Sequence, residues 1–461
     1  MRGAIRYLTI RSIARITPSD LSQTKVSTCR PAGLVATTGT NSAPAAAAAV
    51  TVNVFRLIFV KSRFSCERLS TKCLPPKIQS LAPAPYQWSS YLMTKPPLTP
   101  LAESLPASVP FVGPEATERK MGKPFEARLG ANESVFGPSP KAIAAMEEGA
   151  SDIWMYADPE SHELRRAIAR HLKVAADEVV VGEGIDTLLG YLVRLYVTEG
   201  TNVVTSDGAY PTFNYHVTGY GGTLTKVPFK DDMEDPEALL KAASETDARL
   251  IYISNPDNPM GTNHEYGVID DMIADLAPEC LLVIDEAYVE FVEDDSAPEI
   301  DTTNPNVVRF RTFSKGYGMA GARVGYAFGH RDIIQAFEKV RNHFGLNRAA
   351  QAGALAALQD QTYLQSIVTK VAEARTRIVE IAEASGLTPI PSAANFVALD
   401  CGKDADFATA VLEELGARGI FVRKPFADPG DRCIRVTCGR PQDLDLFETA
   451  LPEALEAAKS R

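Results

Sequence analysis

Six short apolar runs recur along the middle of the chain. They are Val179-Val180-Val181, Asn202-Val203-Val204-Thr205, Leu250-Ile251-Tyr252-Ile253, Leu281-Leu282-Val283-Ile284, Val307-Val308-Arg309-Phe310 and Val324-Gly325-Tyr326-Ala327. They are continuous rather than alternating, as in parallel strands covered on both faces. Between them, residues 163–172, 187–196 and 268–276 carry amphipathic helical spacing. Strands alternating with helices predict a large, doubly wound α/β domain over residues 160–345. Residues 351–383 then read as mostly helical. Short strand patterns at 395–399, 421–423 and 433–436 surround a helical stretch at 406–418. That predicts a smaller α+β domain over 346–461, with 93–159 supplying an N-terminal arm and part of the small domain. No internal repeat is visible.

Charge separates the first 92 residues from the rest. Of 47 basic and 58 acidic residues in the chain, this stretch holds 12 and two, leaving 35 and 56, a net of −21, for the remainder. A body that acidic has no general field for nucleic acid or anionic membrane. The first 15 residues place Arg2, Arg6, Arg11 and Arg15 among Ile5, Leu8, Ile10 and Ile13, the Arg-rich, acid-poor pattern of a mitochondrial presequence. Met93 opens a more ordinary start. The two readings predict a mitochondrial protein if 1–92 is a presequence and a cytoplasmic one if translation begins at Met93. Residues 31–50 are rich in Ala, Thr, Gly and Pro and are expected to be unstructured. Seven scattered Cys without a CxxC pair, and six His without ligand spacing, argue against a disulfide framework and a metal site. No stretch of about eighteen apolar residues predicts a membrane span.

Polar residues capable of chemistry cluster at the ends of the apolar runs. Asp285 ends one of them, where a partly buried carboxylate needs a cation. Tyr288 follows three residues on. Asn258 lies in the rigid loop Asn255-Pro256-Asp257-Asn258-Pro259-Met260-Gly261, and can donate to a ring oxygen. Thr312 and Ser314 place hydroxyls beside Lys315, and Arg323 can pair with a phosphate through two N–H groups. Gly182-Glu183-Gly184-Ile185-Asp186 ends a strand and opens a helix, a site for a bound phosphate. Phe213 can stack on a flat ring or pack in the core. Arg435, in a predicted strand, suits a substrate carboxylate or an internal salt bridge. Lysine, carboxylate, phenol, amide and phosphate-binding groups together are what pyridoxal phosphate (PLP) needs. The lysine forms a Schiff base, the acid holds the pyridine nitrogen protonated and the rest grip the ring oxygen and phosphate. Gly316-Tyr317-Gly318-Met319-Ala320-Gly321 matches a dinucleotide fingerprint, but the strand pattern that follows leaves no room for its helix. A Walker A sequence is absent.

At these residues the chain resembles fold-type I PLP enzymes of aminotransferase class I/II, and most closely the histidinol-phosphate aminotransferase group. The resemblance runs through LGANESVFGPSP at 129–140, YADPESHELRRAIA at 156–169, YPTF at 210–213, NPDNPMG at 255–261, DEAYVEF at 285–291, RTFSKGYGMAGARVGY at 311–326 and IRVTCG at 434–439. It implies the PLP-dependent transferase fold, with a large doubly wound domain and a smaller α+β one. It also implies a transaminase that exchanges an amino group between a small-molecule donor and a 2-oxo acid. Lys315 would carry the cofactor and then move a proton, and Asp285 would pair with the pyridine nitrogen. Tyr288 and Asn258 would bind the ring hydroxyl, and Phe213 would stack on the ring. Ile185, Asp186, Thr312, Ser314 and Arg323 would form the phosphate end. Tyr156 would reach the phosphate of the other subunit, which implies a homodimer. Asn132, Arg423 and Arg435 would face substrate, Arg435 its carboxylate and Arg423 a substrate phosphate.

Three positions depart from the group. Phe213 stands where it usually has Tyr. Asn132-Glu133-Ser134-Val135-Phe136-Gly137 replaces Asn-Glu-Asn-Pro-Tyr-Gly, and Asn258-Pro259-Met260-Gly261 replaces Asn-Pro-Thr-Gly. These changes bear on the donor, histidinol phosphate or an aromatic amino acid, rather than on PLP chemistry. An amino-acid-phosphate decarboxylase and a non-catalytic PLP-fold binding protein are the rival readings.

Overall fold

A computed structural model describes residues 96–107, 113–292 and 298–461. The basic leader, its presequence-like start and Cys29, Cys66 and Cys73 lie outside the described residues. The described chain opens with helices α1 (Pro100–Ser104) and α2 (Pro114–Met121), strand β1 (Ala127–Arg128), and helices α3 (Pro140–Gly149) and α4 (His162–Leu172). The large body follows as β2 (Val179–Gly182), α5 (Ile185–Tyr196), β3 (Asn202–Ser206), α6 (Pro211–Gly219), β4 (Thr223–Val227), α7 (Pro236–Thr246), β5 (Leu250–Ser254), α8 (Tyr266–Ala274), β6 (Leu281–Asp285), β7 (Val307–Thr312), β8 (Gly325–Gly329) and α9 (Arg331–Ala336). Last come α10 (Arg348–Gln359), α11 (Gln361–Ala384), β9 (Thr388–Pro389), β10 (Phe396–Asp400), α12 (Ala405–Ala417), β11 (Ile420–Phe421), β12 (Cys433–Thr437) and α13 (Pro441–Lys459).

All six expected strands form one seven-stranded sheet, ordered β2-β8-β7-β6-β5-β3-β4. The sheet is mixed rather than parallel throughout: β8 pairs antiparallel with both β7 and β2. The connection from β7 to β8 carries one turn of 3-10 helix and no crossover helix, so β8 returns beside β7 in the opposite sense. The seventh strand, β4, lies at the edge, where its Thr-Leu-Thr-Lys-Val alternation leaves polar residues in solvent and no continuous apolar run. Strands β5, β6 and β7 are fully buried apart from Arg311, which explains why their apolar residues do not alternate with polar ones. Their C-terminal ends lie together, with Ser254 opposite Asp285 and Asp285 opposite Phe310. Open α/β sheets bind ligands outside this edge.

The smaller lobe is the antiparallel sheet β12-β10-β9 with α12, α13 and α11 around a core that includes Ile378, Phe396, Val411 and Phe447. The β1 strand pairs with β11 and leads the chain across this lobe to Asn132. The expected boundary at 345 is displaced. Helix α10 contributes Ala350, Ala354 and Leu358 to the core that holds Ala142 of α3, Ile168 of α4 and Phe313, so it belongs with the large body. An Ala-rich helix followed directly by another reads as one segment, and sequence spacing does not show where the packing partner changes. The described residues form a single compact unit.

Candidate active site

A cavity of about 380 Å³ opens at the C-terminal edge of the sheet, between the two lobes. Of the residues expected from sequence, Asn132, Ile185, Asp186, Asn258, Asp285, Tyr288, Thr312, Ser314, Lys315, Arg323, Arg423 and Arg435 line it. They come from the C-terminal ends of β2, β5, β6, β7 and β11 and the segments that follow them, from the loop after β1 and from the middle of β12, which is why they are scattered in sequence.

Lys315 sits in the loop after β7, and its Nζ donates to the Asn132 carbonyl at 2.9 Å. Enclosure by the site, and then the Arg435 charge, lower its pKa to about 8, so a neutral amine is accessible near physiological pH. Asp285, 4 % exposed, ends β6. One of its oxygens accepts from the Tyr252 hydroxyl at 2.8 Å and the other from the Ala287 N–H at 3.0 Å. Burial raises its pKa to about 6 against the pull of these donors. The Tyr288 hydroxyl accepts from Asn132 Nδ2 at 3.0 Å and from Asn258 Nδ2 at 3.4 Å. Burial pushes that phenol up to about 12, so it stays protonated.

Asn132 is the hub between lobes. Its N–H donates to Thr437 Oγ1 at 3.1 Å, and its carbonyl accepts from both Lys315 and Asn395. Its φ of 53° is left-handed, a conformation that stores roughly 1–3 kcal/mol and persists only where surrounding contacts enforce it. The amides of Asn132 and Asn258 thus converge on one phenol from opposite lobes.

At the opposite end, Gly184 caps α5 with φ 92° and no side chain to satisfy the first-turn N–H groups. Arg323 lies against it: a Cβ on Gly184 would come within 2.6 Å of the guanidinium. Arg323 donates to Ser314 Oγ at 3.4 Å and to Asp186 Oδ2 at 3.3 Å. Ser314 is in turn held by Thr312, whose hydroxyl is 2.9 Å away. Helix N-terminus, hydroxyls and guanidinium together make an anion site. Asp186 contributes backbone rather than charge here, because its carboxylate is engaged by Arg323 and by the Tyr210 hydroxyl at 3.0 Å.

The roof carries Arg423 and Arg435, whose backbones pair: Arg435 N–H donates to the Arg423 carbonyl at 2.6 Å. Arg435 Nη1 donates to Asn258 Oδ1 at 2.7 Å, and among the described residues no carboxylate lies within ion-pair distance of it. A guanidinium enclosed without an anion suits a ligand that brings one.

Two expected residues lie elsewhere. Phe213 does not line the cavity. It is fully buried in the core of the large body, stacked on Tyr252 at 4.5 Å between centroids. With no phenol to satisfy, the ring packs under Tyr252, so the stacking role expected from the resemblance is corrected to that of a support. Tyr156 is 77 % exposed, with its ring 4.8 Å from that of Phe344, away from this cavity. Sequence reasoning did not single out Tyr252, Tyr210 or Ala287. For Tyr252 a signal exists, a lone phenol within an aliphatic strand run.

These residues fit PLP on chemistry and shape. Asp285 would meet the pyridine nitrogen, Tyr288 and Asn258 would meet the ring oxygen, and the glycine-lined helix N-terminus with Arg323 and Ser314 would meet the phosphate. Lys315 lies between. Comparison with known proteins agrees. The family model for aminotransferase class I and II matches residues 127–451. A histidinol-phosphate aminotransferase from Moorella thermoacetica is 32% identical over 356 residues, covering 76% of this chain and 91% of that protein. One from Anaeromyxobacter is 34% identical over 371 residues, covering 78% and 100%. The crystal structure of the Sinorhizobium meliloti histidinol-phosphate aminotransferase in complex with pyridoxal-5'-phosphate superposes with a TM-score of 0.76 at 50% identity, covering 79% of this chain and 99% of that one.

Proposed function

The chain belongs to the aminotransferase class I and II family and is a PLP-dependent transaminase, and from that premise we propose that its donor is histidinol phosphate, its acceptor 2-oxoglutarate and its working form a homodimer. When bound, PLP supplies the carbonyl carbon that takes the amino group and a ring that withdraws electrons. Asp285 would keep a negative charge beside the ring nitrogen and so hold its proton. Tyr288 and Asn258 would fix the ring oxygen. Lys315, with its pKa lowered to about 8, is an amine able to take a proton from the substrate carbon next to nitrogen and return it on the far side of the exchange.

The observation that carries the donor assignment is the paired roof of Arg423 and Arg435. A phosphate monoester dianion can engage both guanidiniums at once. In the second half of the cycle, the carboxylates of 2-oxoglutarate can use the same two groups. An apolar aromatic side chain brings no anion to this roof. Pairing of two chains is supported by an exposed apolar surface: Ile153, Trp154, Tyr156 and Phe344 are 65%, 78%, 77% and 52% exposed.

The test follows the cofactor's absorbance in the loaded protein while histidinol phosphate, phenylalanine, tyrosine and glutamate are added singly. Conversion at concentrations about 100-fold lower with histidinol phosphate than with the aromatic amino acids is the expected result. Conversion by phenylalanine or tyrosine with histidinol phosphate inert would keep the transaminase and discard this donor.

A further inference from the structure

Three residues before Arg435, Arg432 enters strand β12 and reaches across to the large body. Its Nη1 and Nη2 donate to Asp232 Oδ1 and Oδ2 at 3.0 and 2.9 Å, a parallel two-bond fork. Its Nε donates to Asp400 Oδ2, at the end of β10 in its own lobe, at 2.7 Å. The three side chains are only 21–26 % exposed.

Asp232 is presented by a tight turn. Lys230 and Met233 exchange backbone hydrogen bonds, and Asp231 and Asp232 between them have φ of 52° and 64°. A two-residue turn of this kind needs both central residues left-handed, and Asp tolerates that better than most. The turn is tied to the cavity floor, since Thr262 Oγ1 lies 3.3 Å from the Asp232 carbonyl and belongs to the same loop as Asn258. Besides the apolar packing of Cys433 with Met260, this stretch therefore hydrogen-bonds to the large body through Arg432 on Asp232 and Arg435 on Asn258. Because Arg423 and Arg435 pair through their backbones, whatever fixes β12 fixes both roof arginines. Like charge across the cavity makes such a tie useful. Arg435 and Lys315 face each other across the cavity before any anion arrives, and like charges push the lobes apart.

We propose that Arg432 is a positioning residue whose fork on Asp232 holds the roof strand against the large body and sets the height of Arg423 and Arg435 above Lys315. This rests on the reading of Arg435 as the group that binds substrate anions. Asp400 distinguishes it from a role in stability alone, because the Arg432–Asp400 pair lies within one lobe and the Arg432–Asp232 pair joins two.

The experiment uses the full PLP-loaded chain and its R432M, D232N, D400N and R435M forms, with 2-oxoglutarate as the probe. Steady-state KM and kcat are measured for each. In R432M and D232N, KM should rise about tenfold with kcat within about threefold, as expected when ground-state and transition-state binding fall together. D400N should stay within about twofold of the parent. An unchanged KM in D232N, or a D400N effect equal to that of R432M, overturns the proposal. Should R432M fold poorly, the near-isosteric turn change D232N carries the test. R435M separates the two readings. A raised KM there with an unchanged D232N removes only the positioning role. An unchanged KM in R435M removes the anion-binding reading and the proposal together.

Discussion

The ionisation of Asp285 depends on two donors. Burial pushes its carboxyl up to about 6, and the Tyr252 hydroxyl and the Ala287 N–H pull it down. Tyr252→Phe keeps the ring, and with it the stack on Phe213, but deletes one of the two. The carboxyl pKa should then rise by about 1 unit. Since the ring nitrogen needs the charged form, the acid limb of the kcat/KM profile should move to higher pH by the same amount. A superimposable profile would show that Tyr252 does not tune this acid. Glu290 is a half-buried residue whose carboxyl is raised to about 8 by enclosure, with one carboxyl oxygen lacking a hydrogen-bond partner among the described residues. In the folded protein it keeps a proton that the unfolded chain releases above about 4.5, so its contribution to stability is present at low pH and is lost as pH rises toward 8. Glu290→Gln removes that titration. It should raise Tm at pH 8.5 by about 2–4 °C relative to the parent while leaving Tm at pH 5 within about 1 °C. Parallel Tm curves for the two proteins would reject this assignment.

At the level of elements, the phosphate end is a contact between the start of β8 and the start of α5. A Cβ on Gly325 would lie 2.9 Å from the Gly184 carbonyl carbon and the Ile185 nitrogen, both backbone atoms that cannot yield as a flexible side chain would. Gly325→Ala should therefore push the N-terminus of α5 away from Arg323 and weaken PLP binding by about tenfold or more, measured by equilibrium dialysis. An unaltered affinity would place the phosphate elsewhere. Much of this arrangement was legible in the sequence because the strands that build it are continuous apolar runs ending in polar residues. Asp285, Lys315 and Arg323 could be named from that pattern, and the resemblance added Asn132 and Arg423. What stayed hidden has physical reasons. Edge strand β4 is half polar. The antiparallel course of β8 depends on the absence of a crossover helix rather than on any residue of its own. Phe213 could equally face a ring or a core, and only its packing on Tyr252 decides. Arg309, inside an apolar run, is buried against Glu286, with Nε to Oε1 at 2.9 Å, so the acid next to Asp285 holds the β6–β7 edge rather than substrate.

On the scale of the whole molecule, the question is whether one chain completes its own site. Tyr156 and its neighbours Ile153 and Trp154 stand on the surface, and the cavity that contains Lys315 is lined without them. If the phosphate end of each site is finished by the partner's Tyr156, as the proposed homodimer requires, the two residues act from different chains. Lys315→Ala and Tyr156→Ala should each lower activity, the first by about 1,000-fold or more through loss of the proton-transferring amine. Unfolding the two inactive proteins together and refolding them with PLP gives mixed dimers. In such a dimer one site receives both defects and the other receives neither. Random pairing makes about half the dimers mixed, so about one quarter of the parent's activity should return. Recovery to that level would require sites shared across the interface. If the refolded mixture stays as inactive as its components while a parent control refolds fully, Tyr156 serves the site of its own chain or none. The exposed patch then needs another explanation.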